Sequence, residues 1–415
     1  MSYPVIVAYG RTACTKANGR AKKNHTGFTD VHPIEYSAVC FNGLLDKVPY
    51  VKEHIEDIGD VITGCAMHIN QMNLNVSRLI VNRAGGTAYD CIPAQTINRF
   101  CSSGLQAIST VTNAIIAGQY KVGIAGGCEC MSHCFTPYDF NEYGDKWIID
   151  NYPGGYMTMG QTAENVANDY GFTREELDAM ALESHTRAAA ARLAGKLNKS
   201  IIPFTKEDGT VVDADDGILA EMDGTLTTSM EKMASLKPCF VPAEEGGKTT
   251  AASSSQTTDA TSYVMIMDSD YAAEHGIKPI AKMIAFQVAG CDATRMGMGP
   301  VYAIPKALDQ AGMKSVKELD VIELNEAFAS QALACVKNVV NDPHLDGFQD
   351  MWDAKKVNPY GGAMALGHPM GATGAFLTCK ALDYLQDPET AGKYAMVTMC
   401  IGGGMGAAGI YELCD

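Results

Sequence analysis

The chain has 415 residues, 47% of them hydrophobic, and carries 48 Asp and Glu against 32 Lys and Arg for a net charge of −16. That length exceeds the ~250–300 residues over which a single core keeps growing, so at least two domains are expected, and the acidic balance argues against nucleic acid or an anionic membrane surface as the main partner. Fourteen cysteines at no framework spacing, with no secretory leader ahead of Val5-Ile6-Val7-Ala8, point to free thiols in a reducing compartment, and a cytoplasmic location is expected.

In chain order, Val5 to Ala8 reads as a strand, Ile34 to Leu45 as a helix, Ile58-Gly59-Asp60-Val61-Ile62 as a strand and Asn75 to Asn82 as a helix. This is the βαβ rhythm of a parallel sheet covered by helices. A strand-like Cys91-Ile92-Pro93-Ala94 then leads to Asn98-Arg99-Phe100-Cys101-Ser102-Ser103-Gly104, followed by Leu105, Ile108, Val111 and Ile115 at helical spacing. Cys101 therefore opens a helix, where unpaired N–H groups and the dipole favour an anion and shift a thiol toward its reactive thiolate. Val122 to Ala125 reads as a strand running into a tight Gly126-Gly127 turn.

Residues 131–249 differ in character, with Tyr, Gly and Asp near the start and a capping-box pattern at Thr173-Arg174-Glu175-Glu176. They read as an inserted loop domain, a lid or binding region packed over the first half. Glu318-Leu319-Asp320-Val321-Ile322 repeats the Asp-Val-Ile strand, and Gly367-His368-Pro369 before a helix with Phe376, Cys379, Leu382 and Leu385 repeats the strand, turn and helix around Cys101. Two similar halves follow, an internal duplication: residues 1–130 with 250–274, and residues 275–415. The uncharged run Tyr394 to Tyr411 approaches the length of a membrane span, but five glycines make it a poor helix. Two buried strands around a glycine turn are expected there instead.

Cys128-Glu129-Cys130-Met131-Ser132-His133-Cys134 packs possible metal ligands together, but it lacks the paired Cys-x-x-Cys spacing of structural zinc, and no metal is expected. Gly361 to Gly371 sets His368 in a glycine-rich turn fixed by Pro369 and lacks the Gly-Lys-Ser/Thr ending of a phosphate loop. Cys400 stands beside the Gly402-Gly403-Gly404 turn, and Asn325-Glu326 ends a buried strand, where ligands sit in such sheets.

Together the blocks Asn98 to Ile108, Asn325 to Gln331, Gly361 to Gly374 and Cys400 to Gly406 resemble the signature blocks of the thiolases, the acyl-CoA:acetyl-CoA C-acyltransferases. The resemblance runs from Val5 and Arg11-Thr12 through Gly160 to Asn165 to the C-terminus. It implies the thiolase fold: two duplicated βα halves in a layered α/β/α/β/α sandwich with an inserted loop domain that binds coenzyme A. It also implies Cys101 as nucleophile, His368 as the base that takes its proton, and Cys400 as a second acid and base. The N–H groups of Cys101 and Gly402 resemble one oxyanion hole, and His368 with a water held by Asn325 resembles the other. For the coenzyme, Ser255 matches a serine near the pantetheine and Met159 and Phe328 match residues of its channel. Thr158 stands near the acyl end of the pocket, where thiolases of the acetoacetyl type commonly carry His.

Coenzyme A is implied as co-substrate rather than as a permanently bound cofactor, with 3-ketoacyl-CoA and acetyl-CoA as the other small molecules and a homodimer or homotetramer as the assembly. Leu219 departs from the family, many members carrying Arg there for the nucleotide end of coenzyme A. The expected reaction is thiolysis of 3-ketoacyl-CoA. Condensation of acetyl-CoA by an acetoacetyl-CoA thiolase is the alternative, followed by a decarboxylating ketosynthase and a non-catalytic scaffold. Ketosynthases use a second histidine where Cys400 stands, and a scaffold would be expected to lose a catalytic side chain.

Overall fold

Two copies of one strand pattern account for the architecture of the computed structural model, which describes residues 2–17, 27–134, 140–152 and 154–414. In chain order the strands are β1 (Pro4–Arg11), β2 (Thr15–Lys16), β3 (Ile58–Gly64), β4 (Ala94–Ile97), β5 (Val122–Cys130), β6 (Phe204–Thr205), β7 (Val211–Val212), β8 (Thr258–Asp268), β9 (Ala281–Gly290), β10 (Val321–Leu324), β11 (Tyr394–Ile401) and β12 (Met405–Leu413). In the first half β3 runs parallel to β4 and β5, and β5, β8 and β1 then pair antiparallel. The second half repeats this order: β10 is parallel to β11, and β11, β12 and β9 pair antiparallel. Even the outer partner recurs, since Val357 bridges Ile322 in parallel as Ala94 bridges Val61. The two sheets meet through the single pair Ile6 and Ala281.

Helices separate and cover these sheets. Ser103–Ile116 and Met370–Leu385 form the middle layer, their Leu105, Ile108, Val111, Phe376 and Leu382 sharing one core with Ala125 of β5 and Val397 of β11. Pro33–Asp46 and Val76–Gly85 cover the first half from outside, and Gly299–Ala311 and Ala329–Val336 cover the second. The result is a five-layer α/β/α/β/α sandwich. A strand covered on both faces has no polar side, and β8 is accordingly buried at all eleven positions.

The two middle helices touch backbone to backbone at glycines. A Cβ on Gly104 would lie 2.9 Å from Gly371 O, and one on Gly374 would lie 2.2 Å from Leu105 N. This contact sets the turn before one helix against the turn before the other. Tyr394 to Tyr411 folds as β11, a glycine turn and β12, as expected. Among the described residues no helix is long and apolar enough to cross a membrane.

Two expectations are corrected. Gly126-Gly127 is no turn but the middle of β5, where the absent side chains admit neighbours: a Cβ at either residue would lie 2.0 Å from Ser262 O or Gly371 O respectively. The insertion also does not rest on the first half alone. Its helices Met159–Asp169 and Arg174–Leu193 pack on the second half, with Asn165 Nδ2 bonded to Thr294 O, Ser184 Oγ to Glu326 and Arg187 to Val357 O. The first half is reached by the stretch before them, where Ser132 meets Asp259, and by the stretch after them, through Ile202 N to Arg11 O and the buried Arg11–Asp215 pair at 2.7 Å. Ser184 and Arg187, buried on Arg174–Leu193, demand partners, and the second half supplies them.

Candidate active site

Cys101 sits in the 3₁₀ turn Phe100–Ser102, just ahead of Ser103–Ile116. The residue before it, Phe100, has φ +44°, a left-handed conformation costing a non-glycine residue about 1–3 kcal/mol. Local side chains hold it there. Asn98 Oδ1 accepts from Phe100 N at 2.7 Å, and Ser103 Oγ accepts from Arg99 N and donates to Phe100 O at 2.9 and 2.6 Å. The thiol is thus presented on a rigid elbow.

Its surroundings come from the second half. Gly402 opens the turn after β11, in which Gly403 and Gly404 have φ of +80° and +82°, and its N–H and that of Cys101 itself lie where they favour an anion at the Cys101 sulfur. These two donors draw the thiol pKa down, but burial outweighs them and pushes it up to about 11. Burial thus outweighs the favourable donors at this helix start, and the resting group is a thiol whose proton a base must take. Cys400, fully buried on β11, lies close enough to Cys101 to feel its charge, and burial raises its pKa well above the usual thiol value.

His368 precedes Met370–Leu385, and its ring is fixed at both nitrogens. Nε2 lies 3.4 Å from Asn325 Nδ2, and Nδ1 lies 2.7 Å from Thr373 Oγ1. With the Asn325 amide nitrogen toward the ring, Nε2 accepts and Nδ1 carries the proton toward Thr373, an assignment that follows from the orientation of that amide. Burial lowers the imidazole pKa to about 4, which keeps it neutral. Asn325, completely buried at the end of β10, has its Oδ1 without a hydrogen-bond partner among the described residues.

A small apolar cluster adjoins these groups. Phe328, Met159, Met296 and Ala163 pack around Cys400, and a Cβ on Gly402 would lie 3.5 Å from the Met159 sulfur. Ser255 is brought alongside by Ser255 N to Ala327 O at 2.9 Å and the Ser254–Phe328 bridge. Thr158 is placed differently: it is exposed and caps Met159–Asp169, its hydroxyl 2.9 Å from Gln161 Oε1. Leu219 is half-buried, its N–H held by His185 Nδ1 at 3.1 Å, and the residues after it form a hairpin in which Ala220 pairs with Leu226.

Sequence reasoning overlooked two residues. Thr373, five positions after His368, carries no signal except its place in the same glycine-rich block. Phe240 stacks edge-on to Phe328 at 5.9 Å and covers Gly160, far from both in sequence. The cluster at Cys128 to Cys134 is dispersed by contrast. Cys128 Sγ accepts from Ser37, His133 meets Thr29 O, Cys134 donates to Ile69 O and Glu129 takes backbone N–H groups. Among the described residues no three His, Cys, Asp or Glu converge as a metal site.

Comparison with known proteins accords with this geometry. Residues 4–270 match the family description "Thiolase, N-terminal domain" and residues 277–413 match "Thiolase, C-terminal domain". A 3-ketoacyl-CoA thiolase of Bacillus subtilis is 37% identical over 432 aligned positions covering 100% of both chains. The dimeric peroxisomal thiolase of Saccharomyces cerevisiae superposes with a TM-score of 0.86 at 30% identity, covering 99% of this chain and 97% of that one. The acetyl-CoA acetyltransferase of Bacillus anthracis gives 0.82 at 30% identity, covering 100% and 99%. With both family halves matched in order and a relative aligned end to end, the chain belongs to the thiolase family of acyltransferases.

Proposed function

We propose that this thiolase cleaves 3-ketoacyl-CoA with coenzyme A, giving acetyl-CoA and a shortened acyl-CoA through an acyl-Cys101 intermediate. The observation that carries the proposal is the thiol of Cys101 set between two N–H donors with Cys400 beside it. A thiol at about 11 and an imidazole near 4 do not exchange a proton at rest, so His368 takes it as sulfur attacks C3 of the substrate. The N–H groups of Cys101 and Gly402 then stabilise one oxyanion, and His368 with Asn325 the other, each donor contributing ~10²–10³ in rate. As C2–C3 breaks, the electron pair becomes the acetyl-CoA enolate, and Cys400 protonates its carbon. Coenzyme A next gives its thiol proton to the Cys400 thiolate and attacks the acyl-enzyme. Cys101 leaves as thiolate and recovers its proton from His368.

Met159, Phe328, Phe240 and Ser255 line the path for the pantetheine arm in this reading. Thr158 has no ring where thiolases of the acetoacetyl type commonly carry His, which supports a pocket open to longer acyl chains. Fourteen free cysteines suit a reducing compartment, which we take to be the cytoplasm, and the dimeric yeast relative supports a homodimer or homotetramer. Intact-protein mass after acetyl-CoA exposure should show one acetyl group that Cys101→Ala loses. Thiolysis kcat/KM should rise from acetoacetyl-CoA to the six- and eight-carbon substrates, each buried methylene adding up to ~0.8 kcal/mol. A profile that peaks at four carbons would establish the acetoacetyl-CoA reading, which the resemblance to the acetyl-CoA acetyltransferase supports.

A further inference from the structure

Glu129, next to the end of β5, is completely buried. Four donors surround its carboxylate. Oε2 accepts from Ala66 N at 2.9 Å and Gly371 N at 2.8 Å, while Oε1 accepts from Met67 N at 3.1 Å and faces Cys65 Sγ at 3.8 Å. With donors at both oxygens there is no acceptor for a carboxyl proton, so the geometry is that of the anion. Burial raises its pKa and the three N–H bonds oppose that rise.

Two of these donors lead toward different catalytic blocks. Gly371 lies in the first turn of Met370–Leu385, three residues after His368, and that helix has no capping bond from its own N-cap, Pro369. The Glu129 carboxylate, reaching across from the first half, occupies the position where a capping side chain and the helix dipole favour an anion. Ala66 leads the other way: its carbonyl accepts from Asn98 Nδ2 at 3.0 Å, and Asn98 Oδ1 holds Phe100 N at 2.7 Å, one residue before Cys101. One side chain therefore ties the elbow of the nucleophile to the turn of the base, though neither Cys101 nor His368 touches it.

We infer that Glu129 is a positioning residue that fixes the distance between the Cys101 elbow and the His368 turn, an inference resting on the acyl-cysteine mechanism proposed above. It has an electrostatic signature as well. The titratable groups around the carboxylate include Cys65 from the segment after β3, Cys128 from β5, Cys134 from the short helix Met131–Cys134, Tyr36 from Pro33–Asp46, and Cys101, and the negative charge of Glu129 raises the pKa of each thiol among them. A neutral side chain in its place lowers the Cys101 pKa, while a shorter acid keeps the charge and loses the reach.

Glu129→Gln and Glu129→Asp test this in the full-length protein. Single-turnover acylation of Cys101 by acetyl-CoA, steady-state kcat and KM, and the pH midpoint of Cys101 alkylation by iodoacetamide are measured for each. Glu129→Gln should lose at least tenfold in acylation rate and kcat, hold KM within twofold, and shift the alkylation midpoint to lower pH. Glu129→Asp should lose rate with the midpoint near that of wild type. Acylation within twofold of wild type in either variant, or an unmoved midpoint in Glu129→Gln, overturns the inference. Where Glu129→Gln does not fold, the rate and midpoint of Glu129→Asp decide alone. Wild type that never acylates at Cys101 removes the underlying mechanism instead, so the two failures are distinct.

Discussion

Replacing Thr373 by Val removes one hydroxyl and changes almost no volume. In wild type that oxygen lies 2.7 Å from His368 Nδ1, in a contact where Thr373 is fully buried and His368 is 6% exposed. Both groups are buried, so the lost hydroxyl leaves Nδ1 without a ready protein partner. An unpaired buried N–H costs ~1–3 kcal/mol, roughly 5- to 150-fold in rate. The loss grows as the imidazole takes the Cys101 proton, because a hydrogen bond from a cation is about twice as strong as a neutral one. Acylation of Cys101 by acetyl-CoA, followed by quenching and intact mass, should therefore slow by roughly 30-fold or more, within the upper part of that range. The KM for thioester should stay nearly unchanged, and Thr373→Ser should recover most of the rate. Acylation of the Val variant within threefold of wild type, at an unchanged thermal midpoint, would refute the orienting role.

Cys400→Ser should still acylate at Cys101 while losing exchange of the acetyl-CoA methyl protons with deuterated solvent, followed by NMR; undiminished exchange would remove Cys400 from proton transfer. Gly374→Ala puts a Cβ 2.2 Å from the backbone of Leu105, so the two middle helices must part, and the variant should lose at least ~1–3 kcal/mol in urea unfolding; a wild-type midpoint would contradict the close approach. Burial lowers the His185 pKa to about 4, so between that value and ~6.5 the unfolded chain binds the extra proton. The stability this residue contributes is complete above ~6.5 and falls by about 2 kcal/mol by pH 5. His185→Gln, which keeps an acceptor for Leu219 N, should lack that part of the pH dependence; identical slopes in the two proteins would argue against a neutral buried imidazole.

The repeated Asp-Val-Ile strands announce the duplicated halves because a doubly covered parallel strand needs an apolar run wherever it recurs. The blocks that bring Cys101, His368, Asn325 and Cys400 together are also legible, since each stands at a strand end or beside a turn next to a glycine run or a helix start. Other features depend on contacts across the chain. Gly126-Gly127 has the composition of a turn, and only the approach of Gly371 shows why a strand needs glycine there. Burial, which keeps Cys101 a thiol, is a property of the finished sandwich and leaves no local mark on the helix start. Glu129 stands among cysteines and resembles a metal ligand until Ala66, Met67 and Gly371 are seen to surround it.

The placement of β8 bears on how the chain is made. This strand lies between β1 and β5, yet residues 131–257 must be synthesised after β5 before it emerges. At ~5–20 residues per second the first sheet stands open for roughly 6–25 s, presenting two unpaired edges in the middle of what will become a buried core. Open edges of that kind recruit other strands. Nascent chains of this protein should consequently require a holding chaperone during that interval, and ribosome pausing within residues 131–257 should lower soluble yield more than pausing after Asp268.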